Sequence, residues 1–91
     1  MSQVKVYGAD WCEDTQQARR HLKQIGVRHD YLNVDFDSRA KTFVLQQNDG
    51  KQVTPTVVIA GDVLVEPSDA ELDNLLRAKR LMPGQVQGGP A

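Results

Sequence analysis

The 91-residue chain contains a single cysteine, Cys12, flanked by Trp11 and by Glu13-Asp14, with a hydroxyl three residues on at Thr15. One cysteine cannot close an internal disulfide, so the core must hold without covalent staples and any thiol chemistry must be completed by an external partner. A thiol reacts through its thiolate, and the surroundings set the thiolate fraction. If Cys12 opens a helix, the unpaired N–H groups and the positive end of the helix dipole favour the anion. A hydroxyl at Thr15, one turn on, would donate to the sulfur and favour it further. Glu13 and Asp14 oppose the anion as like charges, although at an exposed helix start they are screened. The expected balance is a modest downward shift. Taken alone, a lone cysteine is as often a small buried hydrophobe.

Other candidate residues are weaker. His21 and His29 have no mutual metal-ligand spacing and there is no second thiol, so no metal site is expected and both read as exposed imidazoles. Arg19, Arg20 and Lys23 form a basic cluster that could meet an acidic partner, but the ordinary reading of such a cluster is a solvated face. Trp11 either packs under the loop that carries Cys12 or stays exposed as a contact for partner proteins.

The elements that must position these residues follow from periodicity. Residues 3–7 alternate around Val4 and Val6 and break at Gly8-Ala9-Asp10, which reads as a strand. Residues 12–25 place Ala18, Leu22 and Ile25 at helical spacing and stop at Gly26. A second strand is expected over 28–34, then a helix over 38–47 with Ala40, Phe43 and Val44 on one face, ended by Asn48-Asp49-Gly50-Lys51. Residues 56–59 and 63–65 are β-branched runs around Ala60-Gly61-Asp62, a hairpin pattern. Ser68 and Glu71 have capping-box spacing ahead of Leu72, Leu75 and Leu76, so a last helix begins there. The order βαβαββα implies an α/β fold: a four-stranded mixed sheet with helices on both faces, and Cys12 at the carboxyl end of the first strand. Residues 1–82 read as one domain and 83–91 as a flexible tail with too few apolar groups to order it.

Composition narrows the function classes. Hydrophobic residues make up 40% of the chain and charged residues 25%, which is a globular balance, and a net charge of −1 gives no footprint for nucleic acid. The longest aliphatic stretch, residues 57–60, is far too short to cross a bilayer, and the first residues show no export signal. A soluble cytoplasmic monomer is expected.

The segment Tyr7-Gly8-Ala9-Asp10-Trp11-Cys12, the helix after it, Val53-Thr54-Pro55-Thr56 and the closing hairpin together resemble glutaredoxins, over about residues 3 to 79. Trp11-Cys12 is also similar to the start of the thioredoxin active site, and the short chain with its early cysteine resembles glutaredoxins and mycoredoxins. The resemblance implies a minimal thioredoxin fold, a cis bond before Pro55 facing the Cys12 sulfur, and pairing of an extended thiol substrate with Thr54. It implies thiol–disulfide exchange in redox homeostasis, with glutathione or another low-molecular-weight thiol as co-substrate and protein mixed disulfides as partners.

Three departures shape what carries over. Cys12-Glu13-Asp14-Thr15 stands where glutaredoxins often have C-x-x-C, so the resemblance implies a monothiol cycle in which Cys12 attacks a mixed disulfide and an external thiol resolves the adduct. Cys12 lacks the following Gly-Phe-Ser of cluster-holding monothiol glutaredoxins, which argues against an iron–sulfur cluster. Where glutaredoxins commonly place Gly-Gly and an Asp for the γ-glutamyl end of glutathione, this chain has Val65-Glu66-Pro67-Ser68-Asp69, so only Asp69 has a counterpart. The expected site is therefore Cys12 and Thr15 for chemistry, with Trp11, Thr54, Pro55 and Asp69 for substrate. Two alternatives stand beside it: a redox-inactive thioredoxin-fold module that binds through the Trp11, Cys12 and Pro55 surface, and an arsenate-reductase-like protein. The compact hairpin after Thr54-Pro55 argues against the second.

Overall fold

The computed structural model describes residues 2–85. They form β1 (Val4–Gly8), α1 (Glu13–Gln24), β2 (Asp30–Asn33), α2 (Ser38–Gln47), β3 (Thr56–Ile59), β4 (Asp62–Val65) and α3 (Asp69–Ala78). The strands make one mixed sheet in the order β2-β1-β3-β4. β1 pairs parallel with β2 and antiparallel with β3, and β4 closes an antiparallel hairpin on β3.

Period-two alternation in the central strands splits the core into two layers. Val4 and Val6 of β1 and Val57 and Ile59 of β3 pack with Ala18 and Leu22 of α1 and Leu72 and Leu76 of α3. The opposite face carries Tyr7, Val34, Ala40 and Val44, with Phe43 and Val58 against them. α1 and α3 thus cover one face and α2 the other, and the Tyr7 and Phe43 rings stack at 4.5 Å across the α2 layer. Leu22, Leu72 and Leu76 are fully buried, and truncation of any one to Ala would cost about 2–5 kcal/mol.

Local signals set the ends of the elements. Gly26 takes φ 78 just past α1, a left-handed position that favours glycine. Asp37 caps α2 by accepting from the N–H groups of Arg39 and Ala40, and α3 has both halves of the Ser68–Glu71 capping box. Ala60 and Gly61 have φ 47 and 90, the two positive values of a two-residue hairpin turn whose twist matches the strands.

Several boundaries differ from the sequence reading. β1 extends to Gly8, which still pairs with Asn33, so the break comes at Ala9. β2 is shorter than expected because its ladder with β1 starts at Lys5↔Asp30, leaving Arg28 and His29 in the turn that follows α1. Asp62 pairs with Ile59 and belongs to β4. The expected tail falls mostly outside the described residues. Of its first three positions, Gln85 ties back, accepting from Met82 N at 3.1 Å and donating to Arg77 O at 3.2 Å.

The histidines are not the exposed imidazoles expected, since both are half-buried. His21 has a side chain 13% exposed and bridges α1 to α3, with Nε2 2.7 Å from Asp73 Oδ1 and Nδ1 3.5 Å from Asp69 Oδ2. The partners lie on a helix about fifty residues away, which helical periodicity within α1 does not reveal. His29 is half-buried, and burial first, then the charge of Arg19, pushes its pKa down.

Candidate active site around Cys12

Cys12 is the N-cap of α1, with φ −83 and ψ 115, and its side chain is not spent on capping. Its N–H donates to Ala9 O at 3.1 Å, and its carbonyl accepts from Gln16 N at 3.1 Å, so the backbone on both sides of the sulfur is fixed. The side chain is half-buried at the carboxyl end of β1, where the first free N–H groups of α1 point toward it.

Thr15 lies one turn on and is fully buried. Its hydroxyl accepts from Ala9 N at 3.4 Å and donates to the Cys12 sulfur. On the other side, the segment before β3 brings in Thr54 and Pro55. The Thr54–Pro55 peptide bond is cis, Pro55 is fully buried, and the Thr54 carbonyl lies 3.6 Å from Sγ. Asn48, at the end of α2, holds that segment by donating to Val44 O at 2.8 Å and to Thr56 Oγ1 at 3.4 Å. Thr56 Oγ1 in turn donates to Val53 O at 2.9 Å.

Opposing effects act on the thiol. Burial pushes its pKa up, while the Thr15 hydroxyl, the Thr54 hydroxyl and the N–H groups of Thr15 and Asp14 stabilise the anion, and together they prevail, so the pKa lies below the ordinary thiol value. The contact with the Thr54 carbonyl acts the other way, because only the protonated S–H donates there. At 3.6 Å it is one contact against several donors.

Trp11 is 70% exposed, yet its indole is held, because Nε1 donates to Asp35 Oδ2 at 2.9 Å. Phe36, the next residue of that turn, is 86% exposed. Asp10 accepts from Tyr31 OH at 2.8 Å and, through its carbonyl, from Gln16 Nε2 at 3.2 Å. Burial, then the Asp10 carboxylate, pushes the Tyr31 phenol far up, so it stays a donor at physiological pH. Asp69 opens α3, but its carboxylate turns to α1, accepting from Gln17 Nε2 at 3.1 Å and sitting 3.5 Å from His21. Glu66 adopts φ 48, the left-handed region that favours glycine, and its N–H donates to Pro55 O at 2.9 Å.

The structure therefore gathers Trp11, Cys12, Thr15, Thr54 and Pro55, while it ties the Asp69 side chain to α1. It also adds residues that the sequence reading passed over. Gly8 is one: a Cβ there would lie 2.4 Å from Thr15 Cγ2 and 2.5 Å from Oγ1, so only glycine lets the buried threonine sit against β1. The glycine before the cysteine loop was the available signal, but a turn explained it equally well. Asp35 and Tyr31 come from β2 and the turn after it, and only the fold brings them to the loop. Among the described residues no group of three or more His, Cys, Asp or Glu could hold a metal ion, and no helix is long and apolar enough to cross a membrane.

Comparison with known proteins gives a consistent neighbourhood. A family model described as glutaredoxin matches residues 4–64. The chain is 37% identical over 57 residues to Mycoredoxin 1 of Corynebacterium glutamicum, covering 63% of this chain and 70% of that protein. A crystal structure of a thioredoxin-like protein superposes with a TM-score of 0.72 at 30% identity, covering 80% of this chain and 99% of the other. Two further structures agree in fold. A glutaredoxin from Archaeoglobus fulgidus has a TM-score of 0.69 at 22% identity, over 85% of this chain and 88% of that one. A buckwheat glutaredoxin–glutathione complex has 0.63 at 19% identity, over 88% and 73%.

Proposed function

The chain belongs to the glutaredoxin family of thiol–disulfide oxidoreductases, and we propose that it works through a one-cysteine cycle centred on Cys12. The observation that carries this reading is the half-buried sulfur at the N-cap of α1, with hydroxyl and N–H donors around it and a threonine at the position one turn on. The Cys12 thiolate attacks the small-thiol sulfur of a protein mixed disulfide. A Cys12–small-thiol disulfide forms, the protein sulfur leaves as thiolate, and it takes a proton from solvent. A second small thiolate then attacks the adduct, regenerating Cys12 and releasing the symmetric small-molecule disulfide. The protein sulfur is reduced to a thiol, the incoming small thiol is oxidised to disulfide level, and the first small-thiol sulfur stays in a disulfide throughout, so electrons balance.

In this proposal Thr15 is the donor that stabilises the attacking and leaving forms of Cys12, while Thr54 and Pro55 present the strand-like edge that aligns the substrate. Trp11, pinned by Asp35, forms an apolar wall. The small thiol is glutathione or a relative of it, approaching the start of α3, where the free N–H groups would meet a carboxylate of it, the Asp69 side chain being held by Gln17 and His21.

The experiment is turnover of a glutathionylated peptide with excess glutathione, or with other small thiols in turn. Wild type should reduce it and should reduce internal protein disulfides poorly, and Cys12→Ser should be inactive. Thr15→Cys should gain an internal disulfide and dithiol activity. If wild type fails with every small thiol while the fold is intact, the alternative reading replaces this one: a redox-inactive binding module that uses the Trp11, Cys12 and Pro55 surface.

A further inference from the structure

A basic surface cleft of about 890 Å³ lies between α1 and the turn leading into β2, outside the thiol site. Gln16, Arg19, Arg20 and Lys23 form its α1 wall, at the i, i+3, i+4, i+7 spacing that puts them on one stripe of the helix. Arg28 and His29 come from the other wall. What reads in sequence as three basic residues on a solvated face is thus the side of a two-walled cleft.

Its charges are largely uncommitted. Among the described residues the one carboxylate in the lining, Asp30, already accepts from Ser2 N at 3.1 Å. Arg20 pairs with Glu13 at 2.9 Å, toward the thiol end. Arg19 lies 3.9 Å over the Tyr31 ring, and its Nε is buried without a hydrogen-bond partner. Lys23 and Arg28 are exposed and have no ion pair among the described residues. The positive field is also felt inside the cleft, where Arg19 adds to burial in holding the His29 imidazole neutral. By contrast, the thiol end carries Asp10, Glu13, Asp14 and Asp35, so the cleft is a local reversal of charge in a chain of net charge −1.

We propose that this cleft binds an acidic segment of the protein substrate, a short extended run of Asp or Glu beside the cysteine that Cys12 attacks. The proposal rests on the oxidoreductase reading and specifies its substrate class. The two sites are joined, because Gln16 lines the cleft while it holds the Asp10 carbonyl and bonds through its N–H to Cys12. Along α1 the rise of about 1.5 Å per residue puts Arg19 roughly 10 Å and Lys23 roughly 16 Å from Cys12. An extended substrate advances about 3.3 Å per residue, so its acidic side chains belong about three to five residues from the reacting cysteine. Carboxylates of the substrate would meet the exposed side chains of Lys23 and Arg28 on the two walls.

The test uses two labelled peptides with a central S-methylated cysteine, one carrying Glu at positions three to five from it and one carrying Gln. Anisotropy with the reduced protein at low salt should show at least tenfold tighter binding of the acidic peptide, and the advantage should shrink as salt rises. Lys23→Glu with Arg28→Glu, both on exposed side chains, should remove the advantage and leave the circular dichroism unchanged. Glutathionylated versions should differ in KM by the same factor at equal kcat. Equal binding, or an advantage that survives charge reversal, overturns the proposal, as does tight binding of inorganic tripolyphosphate without peptide discrimination, which marks a small-anion site. If neither peptide is turned over as a mixed disulfide of any small thiol, the oxidoreductase reading fails, and the binding arm still decides this one.

Discussion

Gly8→Ala is the smallest change that tests whether the contact between β1 and α1 builds the thiol site. The added methyl would sit 2.4 Å from Thr15 Cγ2, 2.5 Å from its Oγ1 and 3.0 Å from its Cβ, where ordinary contacts run 3.4–4 Å. A shift of about 1 Å is therefore needed. Thr15 cannot supply it by swinging a flexible end, because it is β-branched, fully buried and part of the first turn of α1. Overpacking of this kind costs about 1–3 kcal/mol, and for a domain of this size each kcal/mol lowers Tm by about 4–8 °C.

The assay is a double-mutant cycle by thermal or urea unfolding. Thr15→Ala alone should cost about 1–3 kcal/mol, because it leaves the buried Ala9 N–H without its acceptor. The double variant should be more stable than the sum of the two losses predicts, by at least about 1 kcal/mol, since it removes both of the shortest contacts and leaves only the one at 3.0 Å. In Gly8→Ala the pH profile of Cys12 alkylation should also move upward, because the displaced hydroxyl no longer donates to the sulfur. If Gly8→Ala unfolds within about 0.5 kcal/mol of wild type, or if the cycle shows no coupling, the close approach is not what fixes Thr15, and the reasoning is wrong.

Thr15→Val should raise the Cys12 pKa and Thr15→Ser should not, read by iodoacetamide alkylation against pH, since the hydroxyl is the part of the Thr15 side chain that stabilises the anion; equal profiles would remove that hydroxyl from the chemistry. Because the folded thiol pKa lies below the ordinary thiol value, the folded state binds fewer protons than the unfolded one between the two. The stability that the thiolate contributes is complete above about 8.5 and is lost as pH falls through the folded pKa, so the difference between wild type and Cys12→Ser should widen on going from neutral pH to about 9, and a constant difference would contradict it. Glu66→Gly relieves a left-handed backbone and removes a negative charge near the start of α3, and should stabilise the fold by about 1 kcal/mol while lowering KM for an anionic small thiol; a destabilised variant would show that the Glu66 side chain is needed.

Local features were legible because their signals lie within a few residues. The capping box at Ser68 and Glu71, the stop at Gly26 and the hairpin at Ala60-Gly61 each act over one turn, and each is found where the spacing places it. The topology followed from element order, since a βαβ start and a closing hairpin leave few ways to cover both faces of a sheet. What the chain did not disclose is long-range. His21 looks like a free imidazole until α3 brings Asp73 to it, Trp11 looks undecided until the turn after β2 brings Asp35, and the Asp69 carboxylate looks available until Gln17 takes it. Gly8 was visible as a turn residue, but its clash with Thr15 is a tertiary fact. The basic residues of α1 gained a meaning only when Arg28 and His29 closed the other wall.

Position 15 decides what kind of exchange the scaffold supports. Residues three apart on a helix put their Cα atoms within the range that a disulfide spans, so a cysteine there could compete with any external thiol from inside the molecule. Thr15 is fully buried, which places this position out of reach of solvent thiols and makes its side chain act only on Cys12 and on Ala9. A hydroxyl in that place keeps the part of the role that stabilises the thiolate and gives up the part that resolves the adduct. In the proposed cycle the adduct on half-exposed Cys12 waits for a thiol from solution, so its lifetime shortens as the concentration of that thiol rises. Under that proposal the protein draws the small thiol off its partner in one step and depends on the surrounding thiol pool for the next. Partner choice therefore has to be made by surfaces beside the sulfur, because the sulfur itself no longer distinguishes one mixed disulfide from another.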